Sequence, residues 1–207
     1  VPRLPRFTQR HPGIDMRLVA SNEWLDLGRE RLDLALRYVP PGMPVPASGL
    51  LFAYQQFPVC SPALAADPRH PICSVADLDG QVLLDFETTL YGRPWYDWER
   101  WAHAKGLRGL KPAHSLRFSH YDQVIEAAAK GSGVAIGKRP HLIEHLRDGV
   151  LVAPLGAEGV VELGGFYLET SDTAQPEALA AFVGWLRDEI RRDAAPAPAA
   201  RRPRASP

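Results

Sequence analysis

Apolar positions recur at helical spacing from the first residues of the chain. Val1, Leu4 and Phe7 share one face, and His11-Pro12-Gly13 ends the run. A helix is thus under way at the first residue, and the pattern predicts a sequence that starts inside an element, as a fragment lacking an N-terminal part would. Ile14, Met16, Leu18 and Ala20 then alternate with polar residues, the period of a half-buried strand. Ser21 and Asn22 are placed to start a short helix through Trp24, Leu25 and Leu27. Leu32 to Tyr38 reads as a second strand, so the segment predicts one right-handed strand-helix-strand unit. A loop rich in proline and glycine, Pro40 to Gly49, closes it.

Leu50 to Cys60 is a long extended apolar segment that ends at Ser61-Pro62, a cap and first-turn proline for a helix at Ala63 to Ala66. Ser74 to Leu78 predicts a short helix, Gln81 to Phe86 a buried strand, and Pro94 the start of a helix carrying Trp95, Trp98 and Trp101 on one face. His114 to Phe118 is the next strand. Pro140 opens a helix through Leu142, Ile143 and Leu146, and Val150 to Pro154 and Val161 to Glu169 are the last strands. Gln175 to Arg191 is a final amphipathic helix with Leu179, Phe182, Val183 and Leu186 inward. From Asp193 on, Ala, Pro and Arg make a composition that cannot pack.

The most informative stretch is Ser119 to Gly137. Polar Ser119 to Asp122 can cap a first turn, Val124, Ile125 and Ala128 make one apolar face, and Gly131 and Gly133 turn the chain into Val134-Ala135-Ile136. This is half of a strand-helix-strand unit whose helix N-terminus opens at the carboxyl ends of the strands, where α/β folds place small ligands. Helices and strands alternate throughout, so the class is α/β. Two crossover segments, near Leu50 to Phe57 and near Val161 to Leu168, predict two lobes, the second inserted in the first. The expected division is 1–57 and 161–192 for the first lobe, 58–160 for the second, and 193–207 for a disordered tail. A cleft between such lobes is the expected ligand site.

Composition narrows the function. Lys+Arg and Asp+Glu both total 24, giving a net charge of zero, which argues against a non-specific polyanion binder. Two cysteines, Cys60 and Cys73, make no disulfide framework and fit a reducing, cytoplasmic compartment. No apolar run is long enough to span a membrane, and no signal peptide is visible.

Catalytic signals are weak. Gly131-Ser132-Gly133 lacks the spacing of a nucleophile elbow, and Ser119-His120 reads as a cap beside an exposed imidazole. His141 and His145 have a ligating spacing but no third ligand nearby, and no glycine-rich phosphate loop precedes a helix. We therefore expect no catalytic residue, no metal and no cofactor. Binding remains: Ser21, Arg37 and Ser119 to Tyr121 all fall at the carboxyl ends of strands. Helix N-termini with one arginine favour a small anion, typically a carboxylate, with a surface residue or a structural ion pair as the competing reading of Arg37.

Val1 to Phe7, His11-Pro12-Gly13-Ile14, Arg17 to Ala20, Leu32 to Tyr38, Pro58 to Leu64 and Ala127 to Gly137 together resemble the effector-binding domain of LysR-type transcriptional regulators, in the branch of the glycine-cleavage activator. The resemblance covers roughly Val1 to Arg191. It implies a two-lobed fold like the type 2 periplasmic binding proteins, with an inducer in the cleft near Ser21, Arg37, Tyr38, Ser119, His120 and Tyr121. It also implies a homodimer or homotetramer in which the helix from Val1 to Arg10 packs on a partner's helix from Asp122 to Lys130. The family's winged helix-turn-helix, its linker helix and the first strand of its first lobe are not in the sequence. DNA binding would then belong to that N-terminal part. The rival readings are an extracytoplasmic solute-binding protein of the same fold, a hydrolase using Ser119 and His120, and a truncated fragment without function of its own.

Overall fold

The computed structural model describes residues 3–172 and 174–193. They form two compact units. One runs up to Phe52 and resumes at Gly164, and the other runs from Ala53 to Leu163. The chain leaves the first unit within β2 (Leu50–Val59) and returns within β7 (Val161–Thr170).

The first unit is built on an antiparallel pair, β1 (Leu34–Val39) against β7, with Leu34 opposite Thr170 and Val39 opposite Gly165. Gly164 permits the approach: its φ is +81°, and a Cβ there would lie 2.1 Å from the Val39 carbonyl oxygen. Helix α1 (Leu4–Arg10) has Pro5 in its first turn and ends where His11 leaves helical geometry, its N–H still donating to the Phe7 carbonyl. Its one buried residue, Phe7, meets Phe182 edge-on at 5.2 Å and Trp185 at 5.4 Å, both on α7 (Pro176–Asp193). Beside these rings Glu189, 4% exposed, is held by Arg6 at 3.3 Å, Arg3 at 3.7 Å and Arg192 at 2.5 Å. Aromatic burial and a charge-paired glutamate thus dock α1 on α7.

In the second unit β3 (Val82–Leu90) is central. It runs parallel to β5 (His114–Phe118) and to β6 (Val134–Arg139), and β6 pairs antiparallel with β2. Alternation along β6 sorts the core into two faces. Val134 and Ile136 join Trp98 and Trp101 of α4 (Asp97–Ala104), with Cys60 and Leu83. Ala135 joins Val124, Ile125 and Ala128 of α5 (Tyr121–Ala129), with Val59 and Leu84. A Cβ on Gly133 would sit 2.4 Å from the Val82 carbonyl oxygen, so the turn from α5 into β6 requires glycine. Short α3 (Pro62–Ala65), capped by Ser61, and α6 (Ile143–Arg147) complete the unit.

Four expectations are corrected. Residues 14–20 form no strand; their alternation has no ladder partner among the described residues, and Leu18 and Val19 are exposed. The strand-helix-strand unit expected there is replaced by a single turn, α2 (Leu27–Glu30), capped by Asp26 rather than Ser21. Trp95 is not on a helix with Trp98 and Trp101. It lies on β4 (Arg93–Tyr96), the return strand of a hairpin from β3 whose turn, Tyr91 and Gly92, takes positive φ at both positions. Around Val152 only an isolated bridge to Cys60 forms, and the expected strand there is absent. Of the tail expected over 193–207, Asp193 ends α7 and residues 194–207 lie outside the described residues.

Candidate functional site

In the first unit Ser21 is exposed, and its hydroxyl accepts the Glu23 amide at 3.0 Å. Arg37 points into the protein, only 6% exposed. Its Nε donates to the Glu169 carboxylate, its Nη2 donates to the Leu25 carbonyl, and its guanidinium stacks 4.4 Å from the Trp24 ring. The guanidinium thus holds the segment around Trp24 and Leu25 against β1 and β7. Tyr38, next along β1, is half-buried, its ring 5.5 Å from Phe166, which stacks on Phe52 at 4.9 Å.

In the second unit Ser119, His120 and Tyr121 stand together where β5 passes into α5. Ser119 Oγ lies 3.0 Å from His120 Nδ1, and both residues are exposed. The N-cap residue of α5 is His120, whose side chain makes no cap bond, and the amides of Tyr121, Asp122 and Gln123 have no partner among the described residues. The contrast with α4 is instructive: there Asp85 reaches from β3 to accept the Trp98 amide at 3.2 Å. Tyr121 crosses the strand ends, its hydroxyl donating to the Ile136 carbonyl at 3.2 Å. Burial raises its pKa well above the phenol range and keeps it neutral.

Beside Tyr121 lies a buried polar cluster that the sequence reading missed. Lys138 Nζ is 2.7 Å from Asp97 Oδ2 and is bracketed by the rings of Phe86 at 4.3 Å and Tyr121 at 4.2 Å. Asp97 Oδ1 accepts Trp95 Nε1 at 2.8 Å and Gln56 Nε2 at 3.5 Å, while Gln56 Oε1 is buried without a partner. Asp97, Lys138 and Gln56 are 1%, 6% and 0% exposed. Burial pushes the Asp97 pKa up and the Lys138 pKa down, and their mutual attraction opposes both shifts. Burial, with repulsion from Asp97, raises Asp85 to about 6, against the pull of the Trp98 amide and Arg117. His141, edge-on to Tyr121, has its pKa lowered by burial and by Lys138. The available signal was a lone lysine after the apolar run Val134 to Gly137 and a lone aspartate among Trp95, Tyr96 and Trp98.

Among the described residues, no nucleophile-base-acid constellation takes shape around Ser119. Among the described residues no group of three His, Cys, Asp or Glu is placed to hold a metal ion. What the second unit offers is an open helix N-terminus beside a buried cation at the carboxyl ends of β3, β5 and β6, an arrangement suited to holding a small polar ligand.

Comparison with known proteins agrees with this architecture. The family described as the LysR substrate binding domain matches residues 1–191. The chain belongs to that family. This LysR substrate-binding domain is 30% identical over 187 residues to the glycine cleavage system transcriptional activator of Escherichia coli K12, covering 90% of the chain and 59% of the relative. It is 32% identical to the transcriptional activator AmpR of Rhodobacter capsulatus, covering 90% of the chain and 60% of the relative. The LysR substrate-binding domain thus spans about three fifths of the length of these curated relatives. Among solved structures, the effector domain of AmpR from Pseudomonas aeruginosa superimposes with a TM-score of 0.66 at 28% identity, covering 93% of this chain and 89% of that one. The effector-binding domain of AmpR from Citrobacter freundii gives 0.65 at 25% identity, covering 92% and 90%. The fold is accordingly the two-lobed, periplasmic-binding-protein-like α/β fold of LysR effector-binding domains. No helix among the described residues is long and apolar enough to cross a membrane.

Proposed function

We infer that this chain is the effector-sensing part of a LysR-type, DNA-binding transcriptional regulator, that it is not an enzyme, and that it works in the cytoplasm. It binds a small anionic metabolite in the second unit through Ser119, His120 and Tyr121, whereas the Arg37 guanidinium of the first unit is engaged by Glu169 and the Leu25 carbonyl. The observation that carries the reading is the uncapped N-terminus of α5, standing at the strand ends of a LysR substrate-binding domain. Three amides without partners and a positive dipole end are what a carboxylate needs. The ligand acts by differential affinity for two arrangements of the protein, which changes the geometry of DNA-binding domains attached outside this chain.

The chain associates as a homodimer or homotetramer through α1 of one copy and α5 of another. Charge supports this pairing, since α1 exposes Arg6 and Arg10 and α5 exposes Asp122 and Glu126.

Two measurements test the proposal. Translating the genomic DNA upstream of the codon for Val1 should give an in-frame helix-turn-helix segment; a signal peptide there instead would make the chain a transport receptor. A panel of small carboxylates should raise the melting temperature of the chain saturably, and Ser119→Ala with His120→Ala should abolish the shift. A panel without effect on the unchanged chain would refute an anionic effector.

A further inference from the structure

The Lys138 cluster is poorly explained as a stabilising device. A buried ion pair seldom stabilises a fold more than apolar residues of the same volume, because desolvation offsets the attraction. The donor inventory is also incomplete. A lysine ammonium carries three N–H donors, and among the described residues Asp97 is the only side-chain acceptor within reach of Lys138. The remaining donors face the π clouds of Phe86 and Tyr121, weaker acceptors than oxygen. Independently, Gln56 Oε1 is an acceptor with no donor, on an amide fully withdrawn from solvent whose other end touches Asp97. The cluster therefore lacks a second oxygen acceptor at Lys138 and an N–H or O–H donor at Gln56.

Gln56 and Lys138 are directly opposed in the β2–β6 pair, so their side chains leave the same face of the sheet. Tyr121, whose ring covers the ammonium, is also the first residue of α5, which links the cluster to the open helix terminus.

We propose that Lys138, Asp97 and Gln56 form the specificity-determining end of the effector site in the second unit, and that its ligand is a small carboxylate bearing a neighbouring hydroxyl or amine. The carboxylate takes the spare donors of Lys138 and the first-turn amides of α5. The neighbouring O–H or N–H donates to Gln56 Oε1. Asp97 is a positioning residue: it holds the ammonium in place and stays held by Trp95 and Gln56. This assignment rests on the effector-binding reading above and adds the ligand class and the residues that select it.

The test titrates the 15N-labelled chain with glycolate, acetate and inorganic phosphate, followed by amide shifts. Glycolate should bind about 10-fold more tightly than acetate, the difference expected from one satisfied buried acceptor. Lys138→Met alone would strand a buried carboxylate, so the informative variant is Lys138→Met with Asp97→Asn, which removes both charges and leaves the fold intact. It should weaken glycolate at least about 30-fold. Gln56→Leu should reduce the preference for glycolate over acetate to nearly one.

If glycolate still perturbs the amides of Ser119 to Gln123 but binds the double variant as tightly as the unchanged chain, the Lys138 assignment falls and the effector reading stands. If none of the three probes binds, or phosphate binds best, the ligand class is wrong. If binding occurs only away from α5, both readings fall.

Discussion

Arg37 offers the most direct test of how the first unit is held together. Replacing it with alanine removes a charged donor from the Leu25 carbonyl, an interaction of the class that contributes about 1.5 to 3 kcal/mol when part-buried. It also removes the stacking on Trp24, about 0.5 to 1 kcal/mol because that ring is 44% exposed. The ion pair with Glu169 adds little, about 0.5 kcal/mol, since the glutamate side chain is 39% exposed and screened. Arg37→Ala should therefore cost about 3 kcal/mol, a fall of about 1 to 2 M in the urea midpoint for a protein of this size. Arg37→Lys, which keeps the charge and loses the planar fork, should recover about half. Equilibrium urea unfolding followed by circular dichroism reads both, and Glu169→Gln should lower stability by under about 1 kcal/mol. A loss below about 0.5 kcal/mol for Arg37→Ala would refute the argument and leave the guanidinium free for a ligand.

Asp85 should make stability depend on acid. Its folded pKa, about 6, lies above the ordinary 3.8, so the folded state holds its proton more tightly than the unfolded state. The buried carboxylate then costs stability above about pH 6, a penalty progressively relieved as pH falls toward 3.8. Asp85→Asn, which keeps an oxygen for the Trp98 amide, should stabilise by up to about 3 kcal/mol at pH 8 and by much less at pH 5, measured by urea midpoints. Burial pushes the Cys60 thiol up to about 12, whereas Cys73 is exposed, so a thiol reagent at pH 8 should label Cys73 alone in the native protein and Cys60 only on unfolding. Gly133→Ala should cost at least about 1 to 3 kcal/mol by forcing apart the Val82 backbone and the start of β6, read by thermal unfolding.

The second unit was the more legible in the sequence. Residues 114–118 were expected as a strand and form β5, and the helix expected at 122–130 is α5, begun one residue earlier. Both signals are local: apolar period, cap and glycine stop lie within one stretch. The hairpin at Tyr91 and Gly92 was hidden because Pro94, read as a helix start, sits on an edge strand where its missing N–H costs nothing. The strand expected at residues 14–20 failed for the opposite reason, since alternation describes a face and says nothing of whether a ladder partner exists.

Ser119, His120 and Tyr121 do stand at the junction of β5 and α5 where the sequence placed them. The pairing of Lys138 with Asp97 was not legible, because it depends on which strand ends the topology brings together. Arg37, expected at a strand end, lies inside β1 opposite Tyr167, and the partners that occupy it lie on β7 and in an irregular segment that no periodicity marks.

The polar cluster also constrains how the chain can fold. Side chains alternate along β6, so sliding it by one residue against β2 would turn Lys138 toward the face where Ala135 packs with Val59, Val124 and Leu142. A lone ammonium buried there would cost several kcal/mol, while the correct alignment delivers it to a carboxylate. Gly137 acts in the same sense, since a Cβ in its place would lie 2.7 Å from Val59 Cγ1 and a one-residue slide would put a larger side chain there. The charge and the glycine thus both disfavour the slid pairing of β6 with β2, independently of any ligand.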